Sequence, residues 1–198
     1  MKPNFIFDLS EVLIMGLVGI EKPLSSILYM PEDKILPCFG GKLLQSICRG
    51  EISEDVYLQK IVETQHWKIE IEILKAIIRE NFHRVVPGTK EVLNQLAENH
   101  QVILLSDHAL EWVAYIKEIH SFFEIFDKVF FSYELGGTKK EMYTFEKVMQ
   151  QINYRPQDCW LIDDSAANIV VAANAGINGI QFKNAEQLKE SLSNQLLQ

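Results

Sequence analysis

Cysteine is scarce in this chain: Cys38, Cys48 and Cys159 are the only three in 198 residues, and no CxxC pair occurs. An odd, scattered set excludes a disulfide scaffold and predicts buried, reduced thiols. The histidines (His66, His83, His100, His108, His120) are equally dispersed and show no zinc-ligand spacing. No long hydrophobic run is present. The longest, Val12 to Ile20, is bracketed by Glu11 and Glu21, far short of the roughly 20 residues that span a bilayer. Asp8 and Glu11 also interrupt any signal-peptide core, so the expectation is a soluble, cytoplasmic protein. Basic charge is in deficit, with Lys plus Arg at 19 against Asp plus Glu at 27 and a net charge of −8. Such a field repels nucleic acid and anionic membrane, and neither is expected as a partner. With ten Gly and six Pro, collagen-like, linker and disordered classes are excluded.

What is there suits a buried core. Hydrophobic residues make up 47% and charged residues 23% of the chain, enough for one domain, or one domain carrying an insertion. Short apolar runs at Asn4 to Phe7, Val102 to Leu105, Val129 to Phe131, Cys159 to Ile162 and Gly179 to Phe182 have the form of fully buried parallel strands. Helix-period stretches fall between them. Val92, Leu93 and Leu96 share a face, as do Trp112, Val113 and Ile116, and Met142 to Ile152 keeps the three-and-four spacing. Ser165 to Ala175 opens on a capping residue and stops before Gly176. Alternation of this kind predicts an α/β fold with a doubly wound parallel sheet, whose ligands bind outside the carboxyl ends of the strands.

Residues 8–101 separate the first two strands, far more than a simple crossover needs. The insertion reads as mostly helical: Ser53 caps a helix with Glu54 and Asp55 in its first turn, and Ile69, Ile73, Leu74, Ile77 and Ile78 form a stripe. Ile69, Ile71 and Ile73 also alternate with charged residues, which leaves a strand start open there. The predicted organisation is a core of residues 1–14 and 85–198 with a small helical cap at 15–84.

The chemistry-bearing residues gather at predicted strand ends. Asp8 ends the first strand, Ser106 the second with Asp107 beside it, and Asp163 with Asp164 the fourth. Strand ends of this type converge on one crevice. Ser10 lies two residues past Asp8, and in extended chain the two side chains face the same way. Each alone has a plainer reading as a turn or cap residue. Two adjacent carboxylates near a third repel one another, which a hard divalent ion such as Mg²⁺ relieves. Lys139 and Lys140 follow Gly136 and Gly137, so a turn can deliver an ammonium there, although a solvated basic turn looks the same in sequence. One cation, Mg²⁺ and the Ser106 hydroxyl suit a dianionic phosphate.

The stretches FIFDLSEVL, VILLSD, SYELGGTKKEMY and LIDDSAANIVVAANAGI, in that order, resemble the motifs of the haloacid dehalogenase-like hydrolase superfamily. They look most like its small-molecule phosphatase branch, whose first motif runs as DLGNV or DLGGV. The resemblance covers essentially the whole chain and implies a sheet order of 5-4-1-2-3 with a helical cap inserted after the first strand. It implies that Asp8 is the nucleophile of an aspartyl-phosphate and that Ser106 and Lys139 hold the phosphoryl group. The Ser10 carbonyl and Asp164 would complete a Mg²⁺ site with Asp8, Asp163 binding directly or from behind. The implied substrate is a small phosphorylated metabolite.

Three positions depart from that pattern. Ser10 stands where most phosphatases of the superfamily have a second Asp for acid and base work, and a serine hydroxyl does that poorly. Acid and base assistance contributes roughly 10² to 10⁴ in rate, so a slow enzyme is expected, or a substrate with a good leaving group such as an anomeric sugar phosphate. Glu11 is expected to point away from Asp8. Asp107 replaces the usual Asn beside Ser106 and opposes an anion unless it points away or is neutralised by Lys139 or His108. Lys140 replaces a proline. A second reading follows: a degenerate member that binds a phosphorylated ligand or partner without turnover. A dehalogenase is disfavoured by the acidic pair and by Ser10, and a receiver domain by the position of that pair. Tyr57, Trp67 and Phe39 are candidates to line the leaving-group pocket, though aromatic residues on such helices are more often core. The substrate and the oligomeric state are not legible.

Overall fold

The computed structural model describes residues 2–196. Five parallel strands form one sheet: β1 Asn4–Phe7, β2 Val102–Ser106, β3 Lys128–Phe131, β4 Cys159–Asp163 and β5 Asn178–Gln181. Their order is β3-β2-β1-β4-β5, the implied 5-4-1-2-3 read from the other edge. The central strand lies with Phe5 opposite Val102 on one side and Trp160 on the other. Both sheet faces are apolar because successive residues alternate between two cores. Phe5, Phe7, Val102 and Leu104 serve one core, and Ile6, Ile103 and Leu105 the other. A helix follows each strand. These are α6 Thr89–Ala97, which leads into β2, then α7 Leu110–Ile119, α8 Ser132–Leu135, α9 Met142–Ile152, α10 Ala166–Asn174 and α11 Ala185–Leu196.

Between β1 and α6 the described chain is helical: α1 Glu21–Leu28, α2 Glu32–Ile35, α3 Gly41–Cys48, α4 Glu54–Gln65 and α5 Ile71–Phe82. The Ser53 hydroxyl accepts from the Val56 N–H and starts α4. The strand alternative at Ile69 to Ile73 is not adopted. Helix α5 starts at Ile71, burying Leu74, Ile78 and Phe82 on one face, because a helical stripe satisfies more apolar residues than a strand edge would. The two passages linking this segment to the sheet run side by side. The Met15 N–H donates to the Arg84 carbonyl at 2.8 Å and the Val86 N–H to the Leu13 carbonyl at 2.9 Å.

The helices bury Leu24, Phe39, Tyr57 and Leu74 in the same cluster that holds Phe5, Phe7 and Trp112. Tyr57, Phe39 and Trp67 are part of this packing: the Tyr57 hydroxyl donates to the Phe39 carbonyl at 2.5 Å, and Phe39 lies 5.8 Å from Trp67. They fill the helical core and are not among the residues that line the pocket at the strand ends, as the plainer reading had it. Cys48 and Cys159 are buried and free, whereas Cys38, on the short 3-10 turn Leu36–Phe39, is only half-buried against the core.

A buried ion pair fastens the helices to α7. Glu54, 3% exposed, accepts both Arg79 guanidinium nitrogens, at 2.7 and 2.5 Å, and the Trp112 indole N–H at 2.6 Å. Removing one partner of such a pair strands a buried charge. Arg79→Ala should therefore lower the unfolding free energy by about 3 kcal/mol. Urea titration with unchanged slope would show it, and a loss within experimental error would mean that water already solvates Glu54.

Candidate active site

Asp8 leaves the end of β1 still paired to the sheet, its N–H donating to the Ile162 carbonyl at 2.9 Å. Beyond it the chain is not extended. The Leu13 and Ile14 N–H groups both return to the Leu9 carbonyl, and Glu11 takes a left-handed conformation at φ 58°. The same-face argument for Asp8 and Ser10 therefore fails, and a tight loop brings Ser10 to the site instead. Gly16 is required there. A Cβ at Gly16 would lie 2.4 Å from Ser10 Oγ and 3.0 Å from Glu11 Oε1.

Lys139 is the centre of the arrangement. It is 1% exposed, and its Nζ lies 2.6 Å from Asp8 Oδ1 and 2.7 Å from Asp163 Oδ2. Lys140, its neighbour, is exposed, so the solvated-turn reading holds for Lys140 alone. The loop carrying Lys139 is held from three sides. Gly136 closes α8 in the left-handed region at φ 66°. Glu141 accepts from the Thr138 N–H and hydroxyl, both at 2.7 Å, and pairs with Arg49 from the helical segment. Asp107 accepts the Lys139 N–H with both oxygens, each at 3.1 Å. Its carboxylate thus supports the lysine loop, which accounts for an acid beside Ser106.

Asp163 is fully buried, with Ser165 N–H at 2.8 Å and the Asn168 amide at 3.1 Å on its oxygens, while Asp164 is exposed. Asp8, Asp163 and Asp164 each offer a carboxylate oxygen, and these lie within 4.8 Å of one another. Burial, the largest influence on Asp8, pushes its carboxyl well above the usual range. Lys139 opposes that shift and Asp163 adds to it. Burial likewise raises Asp107 and Asp164. For Lys139 burial disfavours the ammonium, but Asp163, Asp8 and Asp107 outweigh it and keep the lysine protonated. Asp8, Asp107, Asp163 and Asp164 thus gather around a single buried ammonium. That donor set of hard oxygens with excess negative charge suits Mg²⁺.

Ser106 is fully buried, and its Oγ lies 2.7 Å from His108 Nδ1, while the other ring nitrogen lies 3.1 Å from Ser10 Oγ. A cavity of about 200 Å³ opens here, lined by Ser10, Glu11, Asp107, His108 and Trp112 among others. Its lining reaches the strand-end cluster through Ser10 and Asp107, whereas a larger depression of 560 Å³ lies at the opposite end of the strands, beside Asn4, His100 and Asp158. All seven residues singled out in the sequence, Asp8, Ser10, Ser106, Asp107, Lys139, Asp163 and Asp164, gather at this end of the sheet. His108 was named only as a group that could neutralise Asp107, and Asn168 was not singled out. The only signal for His108 was its place just past a strand end, and for Asn168 its place in the first turn of α10.

Glu11 does not point into solvent. Its Oε1 accepts the Gly16 and Val18 N–H groups, at 2.8 and 3.3 Å. Burial, opposed by those donors and reinforced by Asp164, raises its pKa from 4.5 to about 7. A raised carboxyl pKa means that the folded state holds the proton more tightly. Its contribution is complete below about 4.5 and is lost as pH rises through about 7. Relative to wild type, Glu11→Gln should gain stability between pH 4.5 and 8, by up to roughly 3 kcal/mol or several degrees of melting temperature. Melting temperatures of both proteins across that window check it, and a constant difference would contradict it.

The chain is 22% identical over 192 residues to flavin mononucleotide hydrolase 1 of Arabidopsis thaliana, covering 96% of this chain and 76% of that protein. It is 21% identical over 203 residues to D-ribitol-5-phosphate phosphatase of Bacteroides thetaiotaomicron, covering 98% of each. A HAD family enzyme of Bacteroides thetaiotaomicron, solved with magnesium and inorganic phosphate, superimposes with a TM-score of 0.72 at 22% identity over 93% of this chain and 96% of that one. No helix among the described residues is long and apolar enough to cross a membrane. A family model for haloacid dehalogenase-like hydrolases matches residues 4–176. With the match running from β1 through α10, and with an acid–lysine–acid cluster at the carboxyl ends of the strands, the chain belongs to the haloacid dehalogenase-like hydrolase family.

Proposed function

We propose that the chain is a Mg²⁺-dependent phosphohydrolase acting on a small phosphorylated metabolite through an aspartyl-phosphate on Asp8. One observation carries the reading: a buried Lys139 ammonium lies between Asp8 and Asp163, with three carboxylate oxygens close enough to share a cation. Asp8, Asp163, Asp164 and the Ser10 carbonyl would hold Mg²⁺. When bound, the ion neutralises negative charge where carboxylate and phosphate meet.

Asp8 attacks phosphorus as a carboxylate, and the bond from phosphorus to the leaving oxygen breaks. Water then attacks the aspartyl-phosphate, releasing inorganic phosphate and restoring Asp8. Lys139 and the Ser106 hydroxyl hold the phosphoryl oxygens, which is most of what phosphoryl transfer requires of a protein. Asp107 keeps the Lys139 loop in place. Because Ser10 replaces a carboxyl, the substrate class is one that leaves without a proton, such as an anomeric sugar phosphate. The helical segment 15–84 acts as the cap over the leaving group, and residues 1–14 with 85–198 form the core.

The test is hydrolysis of p-nitrophenyl phosphate and a sugar 1-phosphate panel, with Mg²⁺ and with EDTA, beside Asp8→Asn. Turnover lost with EDTA and with the variant supports the reading. The second reading, a binder without turnover, is favoured by the Ser10 hydroxyl and by the folding of the Glu11 carboxylate onto Gly16 and Val18. It predicts background rates together with stabilisation by Mg²⁺ and phosphate.

A further inference from the structure

The His108 ring bridges two hydroxyls, and neither bond was expected from the sequence. Nδ1 lies 2.7 Å from Ser106 Oγ and Nε2 lies 3.1 Å from Ser10 Oγ. The ring is locked in place. Its backbone N–H donates to Ser132 Oγ at 3.1 Å, and Trp112 and Phe82 pack against it with ring centroids each 6.2 Å away. It is 2% exposed. Its two ring nitrogens face hydroxyls rather than carboxylates, and burial without an anionic partner favours the neutral imidazole. A neutral imidazole has one N–H and one lone pair.

We propose that His108 is a positioning residue that sets the hydrogen-bond direction of Ser106 and Ser10 together, being the Nδ1–H tautomer whenever phosphate is bound. The inference rests on the proposed function in one respect, that Ser106 holds the phosphate. To do so the Ser106 hydroxyl must donate its proton to a phosphate oxygen. Its own oxygen then accepts, and the donor facing it is Nδ1–H. Nε2 is left with a lone pair, and the Ser10 hydroxyl donates to it. The opposite tautomer would take the Ser106 proton onto Nδ1 and turn oxygen lone pairs toward an anion, which is unfavourable.

Phosphate therefore commits the Ser10 proton to His108. Ser10 has none left for the leaving oxygen, and its lone pairs face the site, where they accept a hydrogen bond from water. The same chain of bonds explains why a serine at this position gives a site selective for groups that leave as stable anions.

The test is imidazole ¹⁵N NMR of the full chain, saturated with Mg²⁺, with and without inorganic phosphate. His108→Asn assigns the His108 signals. With phosphate, the Nδ1 signal is expected in the protonated range and Nε2 in the unprotonated range. An Nε2–H tautomer, an imidazolium, or a Ser106 amide that does not respond to phosphate overturns the inference. Kinetics give a second reading. His108→Asn should raise KM about tenfold, and Ser106→Ala with His108→Asn should raise it no further than Ser106→Ala alone. Ser10→Ala should lower kcat with KM within about twofold. Independent effects of His108 and Ser106 on KM would count against it. Absence of turnover with the expected tautomer would instead remove the phosphohydrolase reading and leave the bond direction standing.

Discussion

Asp8→Asn should reduce hydrolysis by at least about 10³-fold while leaving the fold intact. The amide has the shape of the carboxylate, and its oxygen can still accept the Leu9 N–H that Asp8 Oδ1 takes at 2.7 Å. Lys139 loses one partner but keeps Asp163 at 2.7 Å. The buried cluster also loses one of the negative charges that repel one another, so the melting temperature should hold or rise. An amide cannot attack phosphorus as a carboxylate does, and no other carboxylate stands at the end of β1. Initial rates measured beside thermal melting separate the two effects. Residual activity of a tenth of wild type or more in a folded variant would place the nucleophile elsewhere.

Lys139→Met should be the most damaging substitution to both activity and stability. Methionine keeps length and apolar volume but removes the ammonium, leaving Asp8 and Asp163 buried with no charged partner at 2.6 and 2.7 Å. Breaking a buried pair in this way costs about 3 to 5 kcal/mol, and on the proposed function the loss of the ammonium that meets the phosphoryl group costs a further 10² to 10³ in rate, roughly. The site should respond by taking up protons or a cation. Mg²⁺ should therefore raise the melting temperature of Lys139→Met more than that of wild type. Equal shifts in the two proteins would mean that the three carboxylates do not share one ion.

Much of this was legible before any coordinates. Five apolar runs marked the five strands to within a residue or two, because a strand covered on both faces has no polar side to confuse the pattern. Asp8, Ser106 and Asp163 were legible for a related reason. A polar residue that ends such a run sits at the crevice by topology alone.

The rest depended on what packs against what. Ile69 to Ile73 fitted two periods, and burial of Leu74 and Ile78 against the common core settled the choice as a helix. Glu11 was expected to point away from Asp8 in extended chain; the chain there is turned instead, by one left-handed residue, and the carboxylate accepts from Gly16 and Val18. Tyr57 and Phe39 were candidates to line the pocket with core the commoner reading, and their hydrogen bond places them inside. Lys139 and Lys140 are indistinguishable as letters. One is buried between two carboxylates and the other is exposed, because Asp107, Glu141 and Gly136 shape the loop between them and the sheet.

The sheet, the order of the acids and lysine along the chain, and the end of the sheet at which they meet could all be read without a fold in hand. Those follow from local apolar runs and from the one-way direction of parallel strands. That His108 joins Ser10 to Ser106, and that a single ammonium stands among Asp8, Asp107 and Asp163, emerges from the packing of the folded chain. Apart from the bond between Ser106 and His108, such contacts link residues dozens of positions apart, and their strength comes from the exclusion of water, which no stretch of sequence carries on its own.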